Sequence, residues 1–397
     1  MVMSLKEALW IVGTEANVFG SADHNLLAAL NAAGGVPQGK RLALPAGLQG
    51  YFPVRPVEVL HALSYVTSPL YGNDIHDMYM QWALLRYLGF FERGVRGNKK
   101  IPPLGVSEAG CRVAGAQRRV TSEELGVGFA VVLARRWFRH ALGPGIPIGF
   151  IDVDAYVSGS GFGGSIRSDY LLIAPDSVKA DCYRVRLLEC KGTWEEPLAR
   201  IQMKKAVRQL GSPVISPLPD GIAVSSVTWG SQIRCFAVET RGKGEMCHQP
   251  DWEARDVRWG AGDPSSSAGS SGFVATALRG TWGRLADFGG NVEARSIWSG
   301  TRDVAQVGIR ERNEFQTPYG SAIGVSETVT IGGIRISVTR AIHASVDSAL
   351  GSGDPASVTA AQSRFAERTE RFDGAQFGTA SQLFSAAPDG SIFSLAP

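Results

Sequence analysis

Residues 167–193 read RSDYLLIAPDSVKADCYRVRLLECKGT. Two apolar runs flank a polar turn, so the stretch predicts a β-hairpin. Three charges interrupt it: Asp169 in the first run, and Glu189 and Lys191 near the end of the second. Charges inside a buried sheet are costly unless they are paired. Residues i and i+2 of a strand share a face, so Glu189 and Lys191 project together. A bend or register at the open end of the hairpin would bring the Asp169 carboxylate beside Glu189. Two carboxylates at close range repel unless a cation joins them. A hard ion such as Mg²⁺ takes one or two carboxylates and fills its remaining positions with water and phosphate oxygens. A lysine two residues on can hold a water and countercharge phosphate. The plainer alternative is a buried ion pair between Lys191 and one acid, which leaves the second acid to explain.

The segments around this hairpin predict a set order. The pattern TSEELGVGFAVVLARRWFRHAL, residues 121–142, predicts a buried helix ending at Gly143-Pro144, with Gly126 and Gly128 allowing close approach of another element. IPIGFIDVDAYV follows, then the hairpin, then a helix over about residues 195–210, then a strand at IRCFAVET. On the helix of residues 195–210, Ala199, Met203, Ala206, Val207 and Leu210 fall on one side. Arg200, Lys204, Lys205 and Arg208 fall on the other, with Gln202 at a boundary. Such a face suits a phosphate backbone or is simply solvated. Arg135, Arg136 and Arg139 form a weaker second patch.

In this order of elements, with Asp169 followed by Glu189-Cys190-Lys191, the chain resembles the PD-(D/E)xK nuclease superfamily. The resemblance covers residues 107–240. Ser168 stands where the family name has proline. The resemblance implies a restriction-endonuclease-like core: an α/β fold, α+β overall, with a mixed central sheet flanked by helices. It implies that Asp169, Glu189 and the main-chain carbonyl of Cys190 hold Mg²⁺, with Mn²⁺ as a substitute, and that Lys191 positions the nucleophile. It also implies an acid from the first helix, here Glu124 in preference to Glu123, and a helix glutamine near the site, here Gln202. Thr121 and Glu124 equally read as a capping box. The implied reaction is hydrolysis of DNA phosphodiesters, with RNA as a further substrate to consider. A nuclease without a motor of its own would suit a restriction or anti-phage defence system with a helicase or ATPase partner. The alternative is an inactive nuclease-fold subunit that binds nucleic acid or scaffolds such a partner.

The totals are those of an ordinary globular chain. Of 397 residues, 44% are hydrophobic, enough for a sizeable core. A net charge of +3 means that any nucleic-acid surface is local. Five scattered cysteines without a C-x-x-C pair argue against a disulfide framework or a zinc knuckle, and point to a reducing cytoplasm. The first residues lack a signal-peptide core, and no apolar run reaches membrane-spanning length. A homo-oligomer is left open.

The expected organisation is a mainly helical region over 1–105, a nuclease-like domain over 106–245, a Gly/Ser-rich linker or loop over 246–272 and an α+β region over 273–397. Within it, Ser4 and Glu7 predict a capped first helix, and residues 34–56 a loop. The run MYMQWALLRYLGFF predicts a core helix within residues 74–91, and 93–100 a basic boundary segment. ETVTIGGIRISV predicts a hairpin, residues 356–372 a last helix and the final dozen residues a loose end. GSGFGG, residues 159–164, has dinucleotide-binding spacing but leads into a strand rather than a helix, so it reads as a loop. No G-x-x-x-x-G-K-[ST] or G-x-S-x-G motif is present.

Overall fold

The computed structural model describes residues 3–67, 85, 87–94, 100–153, 168–211, 218–242, 247–253, 267–299, 311–331, 333–371, 378–379 and 382–397. The glycine-rich loop 159–164 lies outside these residues, as do most of the helix expected at 74–91 and residues 95–99 of the basic segment.

The chain begins with α1 (Leu5–Gly13), whose cap is as expected: Ser4 Oγ accepts the Glu7 N–H at 3.2 Å. There follow β1 (Ala16–Ser21), α2 (His24–Ala32), β2 (Arg41–Ala43), β3 (Gly50–Val54) and α3 (Pro56–Thr67). A small pair, β4 (Phe91–Arg93) and β5 (Leu104–Val106), precedes the short α4 (Glu108–Cys111). The middle of the chain runs α5 (Gly115–Leu142), β6 (Gly149–Asp152), β7 (Tyr170–Pro175), β8 (Tyr183–Thr193), α6 (Glu196–Gln209), β9 (Gly221–Val227), β10 (Arg234–Arg241) and β11 (Cys247–His248).

Most of these strands form one mixed sheet in the order β3-β1-β10-β9-β8-β7-β6, with β2 on β10 and β11 on β8. β6, β7 and β8 make an antiparallel meander, and α6 carries the chain across to β9, which lies parallel to β8. β8 and β9 are buried along nearly their whole length, as strands in the interior of a sheet covered on both faces are.

α5 and α6 cover opposite faces of this sheet. A Cβ at Gly192 would lie 1.8 Å from the Ser122 carbonyl oxygen, so α5 presses on the Gly192 face. Its neighbour Lys191 points the other way and pairs in register with Ser225, which contacts Gln202 of α6. The close approach expected of Gly126 and Gly128 is present. Their Cβ atoms would fall 2.5 Å from Gly192 Cα and 2.6 Å from the Val59 carbonyl oxygen.

The rest of the chain supplies α7 (Ser267–Phe288), α8 (Val292–Ser299), β12 (Asn313–Thr317), β13 (Gly320–Ile331), β14 (Ile334–His343), α9 (Ala344–Ser352), α10 (Pro355–Arg371), β15 (Gly378–Thr379), β16 (Gln382–Ala386) and β17 (Ser391–Ala396). Its antiparallel sheet runs β12-β13-β14-β17-β16-β15, and the expected hairpin is β13–β14. One apolar core is continuous through both sheets. His61 of α3 stacks on Phe288 and Phe393 at 5.6 and 5.9 Å, joining the two halves.

Several expectations need correction. Residues 1–105 are not simply helical, because β1, β2 and β3 extend the central sheet, and β2 and β3 arise within the stretch read as loop. α7 begins at Ser267, inside the expected linker: burial of Phe273, Val274, Ala277 and Leu278 carries the helix back through residues of poor intrinsic propensity. The final dozen residues are not loose. β17 lies between β14 and β16 and buries Ile392, Phe393 and Leu395. α5 starts at Gly115, so Thr121 is inside it and caps nothing; Ala114 is the N-cap.

Candidate active site

The last paired residues of the β7–β8 ladder are Tyr170 and Leu188. One step further places Asp169 opposite Glu189. Asp169 is therefore not inside β7; it occupies the bend just before it. Its backbone N–H donates to Glu189 Oε2 at 3.1 Å. Its own Oδ2 accepts the Cys190 N–H at 2.8 Å. The Lys191 ammonium donates to Glu189 Oε1. The three charges that interrupt the hairpin thus converge at its open end. Ser168 Oγ donates to the Gln209 carbonyl at 3.2 Å, and the Val153 N–H donates to the Asp169 carbonyl at 3.0 Å, which fix the bend from two sides.

No family model matches the chain, and no curated protein or solved structure is similar to it. The functional reading therefore rests on the residues themselves.

Glu189 has no exposed surface, while Asp169 and Lys191 are half-buried. Burial, and then the Asp169 charge, push the Glu189 carboxyl up to about 8, against the pull of Lys191. Burial also raises Asp169, with Lys191 and the Cys190 N–H opposing it and Asp152 adding to it. Burial alone would lower Lys191, but Glu189 and Asp169 together hold it above its ordinary value. One ammonium serves two carboxylates. A second cation between them would offset both the burial and the Asp169 charge that raise Glu189.

Asp169, Glu189 and the Cys190 carbonyl are all oxygen donors, which matches the preference of Mg²⁺ or Mn²⁺ for hard ligands. Among the described residues, no group of three or more His, Cys, Asp and Glu side chains comes together as a metal cluster. The side chains offered are therefore two carboxylates, with the Cys190 carbonyl as the third donor that the family resemblance implies, a number suited to an ion that keeps several waters.

Of the other expected residues, Gln202 lies nearest the site. Its Oε1 accepts from Ser225 Oγ at 3.5 Å, on the face that carries Glu189 and Lys191. Lys204, Lys205 and Arg208 are exposed and have no acid partner among the described residues. Arg200 is engaged differently, with Asp23 at 2.8 Å and Glu196 at 3.4 Å. Glu124 receives a hydrogen bond from the Tyr87 hydroxyl, and Glu123 is exposed and paired with Arg119 at 3.0 Å. The second basic patch does not form. Arg135 is buried against Phe150, Arg136 donates to the Pro53 carbonyl at 3.0 Å, and Arg139 faces Glu370 at 3.6 Å.

Sequence reasoning missed two residues near the site. Asp152, at the end of β6, adds its charge to Asp169. The acidic repeat in IDVD was a visible signal for it. Ser225 has no local signal; only the parallel pairing of β8 with β9 brings it beside Lys191.

Proposed function

We propose that this chain is a metal-dependent nuclease that hydrolyses DNA phosphodiester bonds at Asp169, Glu189 and Lys191. The observation that carries the reading is the convergence of these three side chains at the open end of one hairpin. The path α5–β6–β7–β8–α6–β9 supports it, since this is the order of elements expected of a restriction-endonuclease-like core. When bound, Mg²⁺ supplies Lewis-acid polarisation of phosphate and a more acidic water. Asp169, Glu189 and the Cys190 carbonyl would hold it. Lys191 orients the attacking water and countercharges the phosphate oxygens as the phosphorus–oxygen bond breaks. Lys204, Lys205 and Arg208 line an exposed helix face suited to the phosphate backbone, and Gln202 reaches from the same helix toward the site. The preference for DNA and the helicase or ATPase partner follow from the family resemblance.

One observation favours a second reading, an inactive nuclease-fold subunit that binds nucleic acid. Both Glu189 oxygens are already engaged, one by Lys191 and one by the Asp169 N–H. Plasmid DNA and a parallel RNA substrate, incubated with Mg²⁺ or Mn²⁺, separate the two. The nuclease reading expects cutting that disappears in Asp169→Ala and Lys191→Ala. Cutting that survives both substitutions refutes the site, and tight binding without cutting under either metal favours the scaffold.

A further inference from the structure

We infer that Cys182 and Cys247 form an oxidation site, a thiol pair that a peroxide converts to an intrachain disulfide. β11 runs antiparallel to the start of β8, with Cys247 opposite Arg184 and His248 opposite Tyr183. Cys182 precedes Arg184 by two residues, so it shares the face of Arg184 and Cys247. The two cysteines are diagonal neighbours across this strand pair, and burial and then the Cys247 thiol beside it raise the Cys182 thiol above its ordinary value. All five cysteines are free. The other three have different surroundings. The Cys111 thiol donates to the Val106 carbonyl at 3.8 Å, Cys235 lies 3.5 Å from Ser226 Oγ, and Cys190 is buried between Glu189 and Lys191.

Access to the pair is asymmetric. Cys182 is buried and Cys247 is half-buried, so Cys247 meets an oxidant first. A groove of about 580 Å³, lined by Lys179, Asp181, Tyr183, Trp252 and Ala356, also reaches Cys182. The chemistry balances in two steps. The Cys247 sulfur attacks one peroxide oxygen, the O–O bond breaks, and an alcohol or water leaves as the sulfenic acid forms. The Cys182 sulfur then attacks the sulfenic sulfur. The S–O bond breaks, and the hydroxyl leaves with the thiol proton as water. Two electrons pass from the thiol pair to the peroxide.

The resulting bond would staple β11 to the start of β8, at the opposite end of the strand from Glu189 and Lys191. It would close a long loop and stiffen the fold without touching the candidate site. The inference does not depend on the nuclease reading.

The test treats the full chain with dilute hydrogen peroxide, titrates thiols in denaturant and maps linked peptides without reduction. Free thiols should fall from five to three, with the link between the peptides of Cys182 and Cys247. Dithiothreitol should restore all five, and the oxidised chain should melt at a higher temperature than the reduced one. Cys182→Ser and Cys247→Ser should each abolish both the link and the rise in melting temperature. Five remaining thiols, a link joining any other pair, or cross-links between chains would overturn the inference.

Discussion

Replacing Glu189 by glutamine tests the electrostatics of the site without any assumption about catalysis. In the metal-free protein the Glu189 carboxyl is pushed from the ordinary 4.5 up to about 8. Between these values the folded chain holds a proton that the unfolded chain has released. Stability from this group is therefore fully present below about pH 4.5 and is lost as pH rises through about pH 8. At roughly 1.36 kcal/mol per pKa unit, the loss between about pH 5.5 and about pH 8.5 comes to about 3 kcal/mol. The amide of the Glu189→Gln variant would keep the shape and the acceptor for the Asp169 N–H but would not titrate.

Urea unfolding in a chelator, at several pH values across that window, gives the comparison. Other groups titrate in both proteins, so the readout is the difference in slope between wild type and Glu189→Gln. The wild type should lose about 3 kcal/mol more than the variant on going to the alkaline end. Saturating Mg²⁺ should flatten the wild-type curve, because a cation between Asp169 and Glu189 replaces the proton. Equal slopes in wild type and variant would refute the argument that Glu189 is held protonated by burial and by Asp169. A wild type that gains stability over the variant with rising pH would refute it more strongly.

Three further outcomes follow from the packing and the charges. Gly192→Ala would put a Cβ 1.8 Å from the Ser122 carbonyl oxygen, so α5 must lift from β8. Its cost in a urea titration should reach or exceed about 3 kcal/mol, the upper end for overpacking, and a neutral effect would contradict the packing. Asp389→Asn should cost about 3–5 kcal/mol, because Arg135 is buried and 3.9 Å from Asp389 Oδ2. Adding Arg135→Met to it should recover much of that loss, whereas simple addition of two losses would show that the two charges are not coupled. Replacing Lys204, Lys205 and Arg208 by alanine, in a Lys191→Ala background, should weaken DNA binding. The salt dependence should fall by about 0.9 for each side chain that meets a phosphate, and an unchanged salt slope would assign this face to solvent.

The hairpin was legible because its information is local. Alternation puts Glu189 and Lys191 on one face, and carrying the ladder one step past Tyr170 and Leu188 puts Asp169 opposite Glu189. The basic face of α6 was legible for the same reason, since a helical period is written in neighbouring residues. What failed was set by partners distant in sequence. β1 pairs with β10, so its role in the central sheet leaves no trace in its own segment. Arg135 is of a type usually exposed, and its burial makes sense only beside Asp389 in the turn before β17. The hydrogen bond that Glu124 receives from the Tyr87 hydroxyl likewise joins residues far apart in sequence.

Gly126 and Gly192 show how the two kinds of information meet. Each glycine alone is ambiguous, a weak point in a helix and a weak point in a strand. Together they are the place where α5 and β8 approach so closely that neither can carry a Cβ. That approach sits one residue beyond Lys191 and on the opposite face of the strand. β8 is thereby braced from behind at the point where its front face presents Glu189 and Lys191. A side chain at either glycine would push the strand toward α6, where Ser225 and Gln202 meet. The geometry of the charged cluster therefore depends on two residues that carry no chemistry of their own.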